Sequence, residues 1–257
     1  MAVVHSRKID GTHYQIRTAG RSVRLYTNNV LHTQYHPERR VTGGVWDLLA
    51  IPALALPRVE RVLLLGVGGG AAIHLLRDWF PTAHISGVEL NPVHLQLARR
   101  YFNLKGKNLK LVEGDARHYV EKYRGEKFDL VIEDLFGGNN GEPDRTFEAD
   151  SKWCSALGKL VSKNGALVIN TIERKQLLAT AFVKDPQIRK CWKSGLCLTV
   201  PAYENHVGAF FRQNVTASQL KNAVRSDPVR KQQEKSGQLR HRITNLNQQA
   251  WSKGISV

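Results

Sequence analysis

The chain has 257 residues and a formal net charge of +16, and 42% of its residues are hydrophobic. This composition provides a buried core for one large or two small domains, and it excludes a disordered chain, a collagen-like chain and a disulfide-stabilised miniprotein. No apolar run approaches the roughly 18 residues of a membrane span. The three cysteines form no C-x-x-C pair and no group has metal-ligand spacing, so we expect reduced thiols, no metal and a cytoplasmic location.

The first predicted unit is a small β module with its linker, residues 1–57. Short β-rich runs occupy residues 12–35, and dipeptides such as Asn28-Asn29 suit tight turns between them. We therefore predict three short antiparallel strands. Residues 46–56 then favour a short helix that an internal proline interrupts.

Apolar strands alternate with helices in the second predicted unit, residues 58–212. The alternating strands are residues 61–65, 84–89, 109–113, 128–133 and 166–171. Their short connections are typical of a parallel sheet with helices on both faces. Two further apolar runs, residues 196–200 and 206–211, favour a hairpin at the sheet edge. The predicted fold class is therefore α/β: a Rossmann-like seven-stranded, mostly parallel sheet preceded by a small antiparallel β module.

The last predicted unit, residues 213–257, is a basic tail with two helices. Thr216 and Gln219 have the spacing of a capping box at the start of the first helix. Positive charge of this kind suits a nucleic-acid interface. The tail has one aromatic residue, Trp251, and therefore no stacking platform, so a solvated basic surface is favoured over nucleic-acid binding.

A glycine-rich turn ends the first strand of the alternation. Gly66, Gly68 and Gly70 let the backbone pass close to a ligand, and the next helix offers its N-terminus there. Glu89 ends the second strand, where an acidic side chain accepts hydrogen bonds from both hydroxyls of a ribose. The alternative for Glu89 is an ordinary surface acid. Together, the turn and the acid predict a cofactor that contains a nucleoside.

Acidic residues also end the third and fourth strands. Asp115, which precedes Ala116, can accept from an adenine amino group, can cap the following helix, or can do both through different oxygens. Glu133 and Asp134 follow a strand beside the switch point of such a sheet, where a second substrate meets the nucleoside. Two adjacent acids can bind a cationic amine or take its proton, or they can simply cap a loop.

The four strand ends together resemble the class I S-adenosylmethionine-dependent transferases. A nicotinamide dinucleotide is the competing cofactor, because Gly66-x-Gly68-x-x-Ala71 also fits the dinucleotide fingerprint. That alternative explains Asp115 and Asp134 less well.

Residues 22–172 resemble the spermidine synthase family and its methyltransferase-like relatives. The run VLLLGVGGGAA stands in place of the family's G-G-G-D-G-G turn, and FDLVIEDLFGG stands in place of its D-S-x-D-P loop. By this resemblance, the three glycines of the turn line the amino-acid portion of the cofactor. Glu89 then holds the ribose, Asp115 and Ala116 hold the adenine, and Asp134 accepts a proton.

The resemblance also concerns the acceptor side and the assembly. His32, Gln34 and Tyr35 echo the tyrosine and glutamine contacts of the family's active site. Phe136 is either a wall for an aromatic acceptor or an ordinary apolar loop residue. Glu133, beside Asp134, is a second candidate catalytic acid. The resemblance further implies a homodimer.

Two departures from the family concern the reaction. Gly69 and Gly137 stand where aminopropyltransferases carry aspartates. Loss of two carboxylates disfavours a multiply cationic polyamine, and a glycine at position 69 is expected to make room for the carboxylate of intact S-adenosylmethionine. We predict an S-adenosylmethionine-dependent methyltransferase with a small-molecule acceptor, for which an amine is one candidate. The alternatives are an aminopropyltransferase that uses decarboxylated S-adenosylmethionine and a non-catalytic protein that binds the cofactor or nucleic acid.

Overall fold

The N-terminal module is an antiparallel sheet of four strands, one more than the sequence predicts. A computed structural model describes residues 1–139 and 142–246 of the chain. The module strands are β1 (Ala2–Ile9), β2 (Thr12–Ala19), β3 (Ser22–Thr27) and β4 (Val30–Tyr35), in that spatial order. The extra strand, β1, lies at the sheet edge with most of its residues exposed, so it shows no apolar alternation.

A second sheet forms the centre of the molecule. The remaining strands are β5 (Arg61–Leu65), β6 (His84–Glu89), β7 (Leu109–Glu113), β8 (Phe128–Glu133), β9 (Phe136–Asn139), β10 (Glu142–Arg145), β11 (Val161–Thr171), β12 (Ser194–Thr199), β13 (His206–Phe211) and β14 (Arg242–Asn245). Eight of them pair in the order β14-β12-β13-β11-β8-β5-β6-β7. The five strands from β11 to β7 are parallel, and the other three are antiparallel, which confirms a mostly parallel Rossmann-like sheet.

The eighth strand corrects the prediction of seven. The last described strand, β14, pairs antiparallel with β12, although its residues belong to the segment that we expected to be helical. It has four residues and buries Ile243 alone, so its sequence carries no strand pattern. The predicted unit boundaries after residues 57 and 212 stay predictions.

Helices cover both faces of the central sheet. They are α1 (Val45–Ala50), followed by a 3₁₀ helix (Ile51–Ala55), then α2 (Ala71–Trp79), α3 (Pro92–Tyr101), α4 (Ala116–Lys122), α5 (Ser151–Leu160), α6 (Arg174–Ala179), α7 (Ala181–Lys184), α8 (Pro186–Arg189), α9 (Ala217–Arg225) and α10 (Pro228–Lys235). Successive residues of β5 face opposite sides: Val62 and Leu64 pack with α1 and α2, whereas Leu63 and Leu65 pack with α5. This is why β5 is apolar along its whole length.

One predicted loop contains strands, and the end of the predicted tail is not described. Residues 137–146, predicted as a loop, contain the antiparallel pair of β9 and β10. Trp251 and the end of the predicted tail lie outside the described residues. None of the helices in the described part of the chain is long and apolar enough to cross a membrane.

Candidate active site

A cavity of about 470 Å³ lies at the carboxyl ends of the central strands, under β4 of the module. In an open α/β sheet, ligands bind at these ends, beside the point where the strand order reverses. Here that point lies between β5 and β8. Eight of the twelve predicted site residues line the cavity: His32, Gly66, Gly68, Glu89, Asp115, Ala116, Asp134 and Phe136.

Steric reasons require glycine at the two glycine positions of the turn that line the cavity. Gly66 and Gly68 have φ of +87° and +54°, a left-handed conformation that side chains rarely adopt. A Cβ at Gly66 would overlap the carbonyl oxygen of Asp134, and one at Gly68 would lie 2.8 Å from Oγ1 of Thr33. The turn is therefore packed between β8 and the module, with its backbone open to the cavity.

The backbone N–H groups of this turn are already bound by the protein. Val67 and Gly68 both donate to Oε2 of Glu89, each at 2.9 Å, and Gly69 donates to Oγ1 of Thr33 at 2.7 Å. The N–H of Gly70 donates to the Val67 carbonyl. A pyrophosphate needs such N–H groups at the turn. This hydrogen bonding therefore disfavours the nicotinamide dinucleotide alternative.

Glu89 is a buried carboxylate that ties the glycine turn to the end of β6. Besides the two bonds to Oε2, its Oε1 accepts from the N–H of Asn91 at 2.9 Å. A carboxylate has about four acceptor positions, so roughly one remains for a ribose hydroxyl. The bidentate ribose contact expected from the sequence does not fit this arrangement; a single hydrogen bond does.

Asp115 caps α4 through one of its two oxygens, a role that the sequence predicts; adenine binding by the other oxygen stays a prediction. Oδ1 caps α4 by accepting from the N–H groups of Arg117 and His118, at 2.6 and 3.1 Å. Within the described residues, no hydrogen bond to Oδ2 is found, so that oxygen remains available to a ligand. Ala116 is buried beside it in the cavity wall.

Asp134 is a half-buried carboxylate at the floor of the cavity. Its Oδ1 accepts from Nδ2 of Asn170 at 2.8 Å. Burial raises the pKa of Asp134 to about 7, with a smaller contribution from the negative charge of Glu133, whereas the Asn170 hydrogen bond opposes the rise. A carboxyl group with this pKa can exchange a proton near neutral pH.

Glu133 lies behind the cavity and not in it. Its Oε1 and Oε2 are bound by the guanidinium of Arg145 at 2.7 and 2.9 Å, and Nε1 of Trp153 lies 3.4 Å from Oε1. Burial raises the pKa of Glu133, and Arg145 opposes this rise. The side chain is fully buried, so the geometry provides a structural ion pair where the sequence predicts a second catalytic acid.

Three further predicted residues are also outside the cavity. Gly70 precedes α2, and a Cβ there would lie 2.6 Å from the methyl groups of Leu104. Gln34 accepts from Arg24 and donates to a backbone carbonyl within the module. Tyr35 is buried in the module core, with its ring 4.5 Å from that of His74. Strict alternation would put His32 and Gln34 on one face of β4, but the register of β4 with β3 shifts at His32, and this bulge interrupts the alternation.

His32 does line the cavity, and it is uncharged at neutral pH. Burial lowers its pKa to about 4, and its ring lies 4.8 Å from that of His94. Its Nε2 is buried without a hydrogen-bond partner among the described residues. His32 is therefore a neutral polar wall, close to Glu89.

Position 69 corrects one argument from the sequence. Gly69 does not line the cavity; a Cβ there would meet Cγ2 of Thr33 at 2.9 Å and Cε1 of Phe102 at 3.1 Å. The glycine thus makes room for the module and not for a ligand carboxylate. At Gly137, by contrast, a Cβ would meet one atom, Cγ2 of Thr146, at an ordinary 3.6 Å.

Sequence reasoning missed several residues of the cavity. Trp46 and Tyr203 form an edge-to-face pair with ring centroids 5.9 Å apart, and Asn170 and Asn205 line the same cavity. Phe147 adds a further aromatic wall. These residues come from distant segments and follow no motif of fixed spacing.

Comparison with known proteins gives the family. Residues 58–242 match a family model described as a methyltransferase domain. The chain is 34% identical over 124 residues to a polyamine aminopropyltransferase from Vibrio vulnificus, which covers 47% of this chain and 40% of that protein. It is 32% identical over 131 residues to an eEF1A lysine and N-terminal methyltransferase homolog from Drosophila melanogaster, covering 48% of this chain and 19% of that protein. The matches thus span two fifths or less of these curated relatives.

Solved structures agree with the described fold. A probable spermidine synthase from Corynebacterium glutamicum superposes with a TM-score of 0.74 at 13% identity, covering 100% of this chain and 95% of that one. Human methyltransferase-like protein 13, in complex with SAH, gives a TM-score of 0.56 at 16% identity, with 77% and 92% coverage. Because the family model matches well over half of the chain, the chain belongs to the methyltransferase domain family, and its fold is that of the spermidine synthase-like class I S-adenosylmethionine-dependent methyltransferases.

Proposed function

We propose that this protein is an S-adenosylmethionine-dependent methyltransferase that acts on an amine, with Asp134 as the proton acceptor. The observation that carries the proposal is the charge of the acceptor side. Among the described residues that line the cavity, the carboxylates are Glu89, Asp115 and Asp134. Glu89 binds the glycine turn and Asp115 caps α4, so Asp134 is the one of these three carboxylates that does neither and is left for an acceptor amine.

The residues at the strand ends fit the cofactor. Gly66 and Gly68 let the turn pack closely against β8 and the module with its backbone along the cavity. Glu89 and Asp115 each retain an acceptor position, for a ribose hydroxyl and an adenine amino group respectively. When bound, S-adenosylmethionine supplies an electrophilic methyl group. The turn has no free N–H groups between residues 67 and 70 for a phosphate, and this supports a cofactor without one.

Asp134 provides the base. Its Oδ1 is held by Asn170, and its Oδ2 is left for the acceptor. An ammonium group would bind there and give one proton to Oδ2 as its N–H bond breaks. The freed nitrogen lone pair would then form the new N–C bond while the S–C bond of the sulfonium breaks and the thioether leaves. A pKa of about 7 makes this carboxylate a stronger base than an ordinary aspartate. Trp46 and Tyr203 exclude water from the site and position the apolar part of the acceptor.

Methyl transfer is favoured over aminopropyl transfer by the packing at Gly69. Thr33 and Phe102 fill the space that the family's aspartate would need, so the carboxylate that would pair with the ammonium of the aminopropyl group is absent there. A polyamine acceptor would also need several carboxylates, and the acceptor side has Asp134. The relative named polyamine aminopropyltransferase supports the competing activity, so both reactions need to be assayed.

The test is identification of the nucleoside product. The protein is incubated with S-adenosylmethionine and n-butylamine, and separately with decarboxylated S-adenosylmethionine and putrescine. We expect S-adenosylhomocysteine in the first reaction, at a level that Asp134→Asn lowers by about 10²-fold or more. Methylthioadenosine from the second reaction, without product in the first, would show that the protein is an aminopropyltransferase.

A further inference from the structure

Two asparagines connect Asp134 to the turn between β12 and β13. Nδ2 of Asn170 donates to Oδ1 of Asp134 at 2.8 Å, and Nδ2 of Asn205 donates to Oδ1 of Asn170 at 3.1 Å. Asn170 is 3% exposed and is the penultimate residue of β11, whereas Asn205 is half-buried on the turn. All three residues line the cavity, so the chain of hydrogen bonds runs along its wall.

The order of donors in this chain fixes the orientation of the middle amide. An asparagine side chain has one donor end and one acceptor end. Because Asn205 donates to the oxygen of Asn170, the NH₂ group of Asn170 faces Asp134. The reverse orientation would place an amide oxygen against Oδ1 of Asp134, and two acceptors can share that position only when the carboxyl is protonated.

The backbone of Asn170 is held as well. Its carbonyl accepts from Arg145, the residue that pairs with Glu133. The side-chain amide of Asn170 is therefore the part of the residue that can turn, and Asn205 is its contact on the side away from Asp134.

We propose that Asn205 is a positioning residue, which keeps the NH₂ group of Asn170 on Asp134 so that this carboxylate stays ionised with Oδ2 directed to the acceptor. The use of the ionised group as a base rests on the proposed function; the hydrogen-bond chain itself does not. In this role Asn205 touches no reacting atom and acts through Asn170.

The charged groups around Asp134 show why such a device matters. Glu133 and Glu89 carry like charges that disfavour its ionisation, and Arg145 favours it. Burial is the largest influence and also disfavours the charge. The Asn170 hydrogen bond opposes these effects, so its loss moves the titration of Asp134 upward.

The test is a carboxyl titration that needs neither cofactor nor acceptor. The full chain is labelled with ¹³C at the aspartate side-chain carboxyl, and the signal of Asp134 is identified by its absence in Asp134→Asn. Asn205→Ala is expected to raise the midpoint of that signal by about 0.5 to 1 pH unit, the equivalent of one net hydrogen bond. The matched control is Asn214→Ala, which replaces an exposed asparagine outside the cavity and is expected to leave the midpoint unchanged.

A second variant keeps the proposal falsifiable if Asn205→Ala perturbs the turn. Asn205→Leu keeps the size of the side chain, adds no charge and has no donor for Oδ1 of Asn170, so it is expected to raise the midpoint by a similar amount. Unchanged midpoints in both variants, with native-like unfolding curves, would overturn the proposal. A shifted midpoint in a protein that binds no S-adenosylmethionine would support the positioning role and refute the proposed function, so the two failures are distinguishable.

Discussion

Replacement of Asp134 by asparagine is expected to stabilise the protein above pH 7 while removing its turnover. The ordinary pKa of the group is 3.8, and the folded protein raises it to about 7. Because the folded pKa is the higher one, ionisation costs the folded state free energy. The stabilisation associated with protonated Asp134 is complete below about pH 4 and is lost as the pH rises through 7. A shift of roughly 3 units corresponds to about 4 kcal/mol, so about 2 to 4 kcal/mol is expected after relaxation of the partly open site.

The assay is urea denaturation of both proteins at several pH values between 4 and 8. The free energy of unfolding of Asp134→Asn minus that of the wild type should increase with pH over this range, because the wild type alone loses stability as Asp134 ionises. Asn170 can still donate to the new amide oxygen in the variant. Asp144→Asn, a change at an exposed aspartate, controls for the loss of one negative charge. A difference that does not change with pH would refute the burial and raised pKa of Asp134.

The remaining predictions concern packing and are measured by urea denaturation. Gly66→Ala should destabilise the protein by several kcal/mol, because the left-handed φ and the overlap with a carbonyl oxygen both cost free energy. Gly20→Ala, where φ is left-handed but the space is open, should cost about 1 kcal/mol. Equal losses in the two variants would contradict the overlap. Gly69→Asp should cost about 2 kcal/mol or more by overpacking, and Gly137→Asp should stay within about 0.5 kcal/mol; the reverse order would remove the steric argument against an aspartate. Glu133→Gln should cost about 3 to 5 kcal/mol by leaving a buried guanidinium unpaired, and a neutral result would return Glu133 to the catalytic candidates.

The parallel core and the cofactor half of the site could be predicted from local sequence. Buried parallel strands such as β5 and β8 are continuous apolar runs, and the residues after them must be glycines or acids for steric and chemical reasons. Gly66, Glu89 and Asp115 therefore stand out without any knowledge of the fold, and all three line the cavity. Their roles in binding stay predictions.

The assignment of Glu133 could have been improved from the sequence. Successive residues of a strand point to opposite sides, so two adjacent acids at the end of β8 cannot both face one ligand. Asp134 faces the cavity and Glu133 faces Arg145. Which of the two faces the ligand depends on where the basic partner lies, and that partner is 12 residues away on the hairpin.

The rest of the site could not be predicted, because its contacts are distant in sequence. Thr33 reaches the N–H of Gly69 across 36 residues, and Asn205 reaches Asn170 across 35. No periodicity or spacing rule connects such pairs, because they depend on how the module packs over the sheet. For the same reason, the sequence predicts an open space at Gly69, where the structure has a filled one.

The central claim is tested most directly by calorimetric titration of the wild-type protein with S-adenosylmethionine and, in a parallel experiment, with its decarboxylated form. We predict that S-adenosylmethionine binds, that it binds at least tenfold more tightly than its decarboxylated form, and that Gly66→Ala abolishes binding. Preference for the decarboxylated form would contradict methyl transfer and assign the protein to aminopropyl transfer. No binding of either molecule would contradict the cofactor site itself.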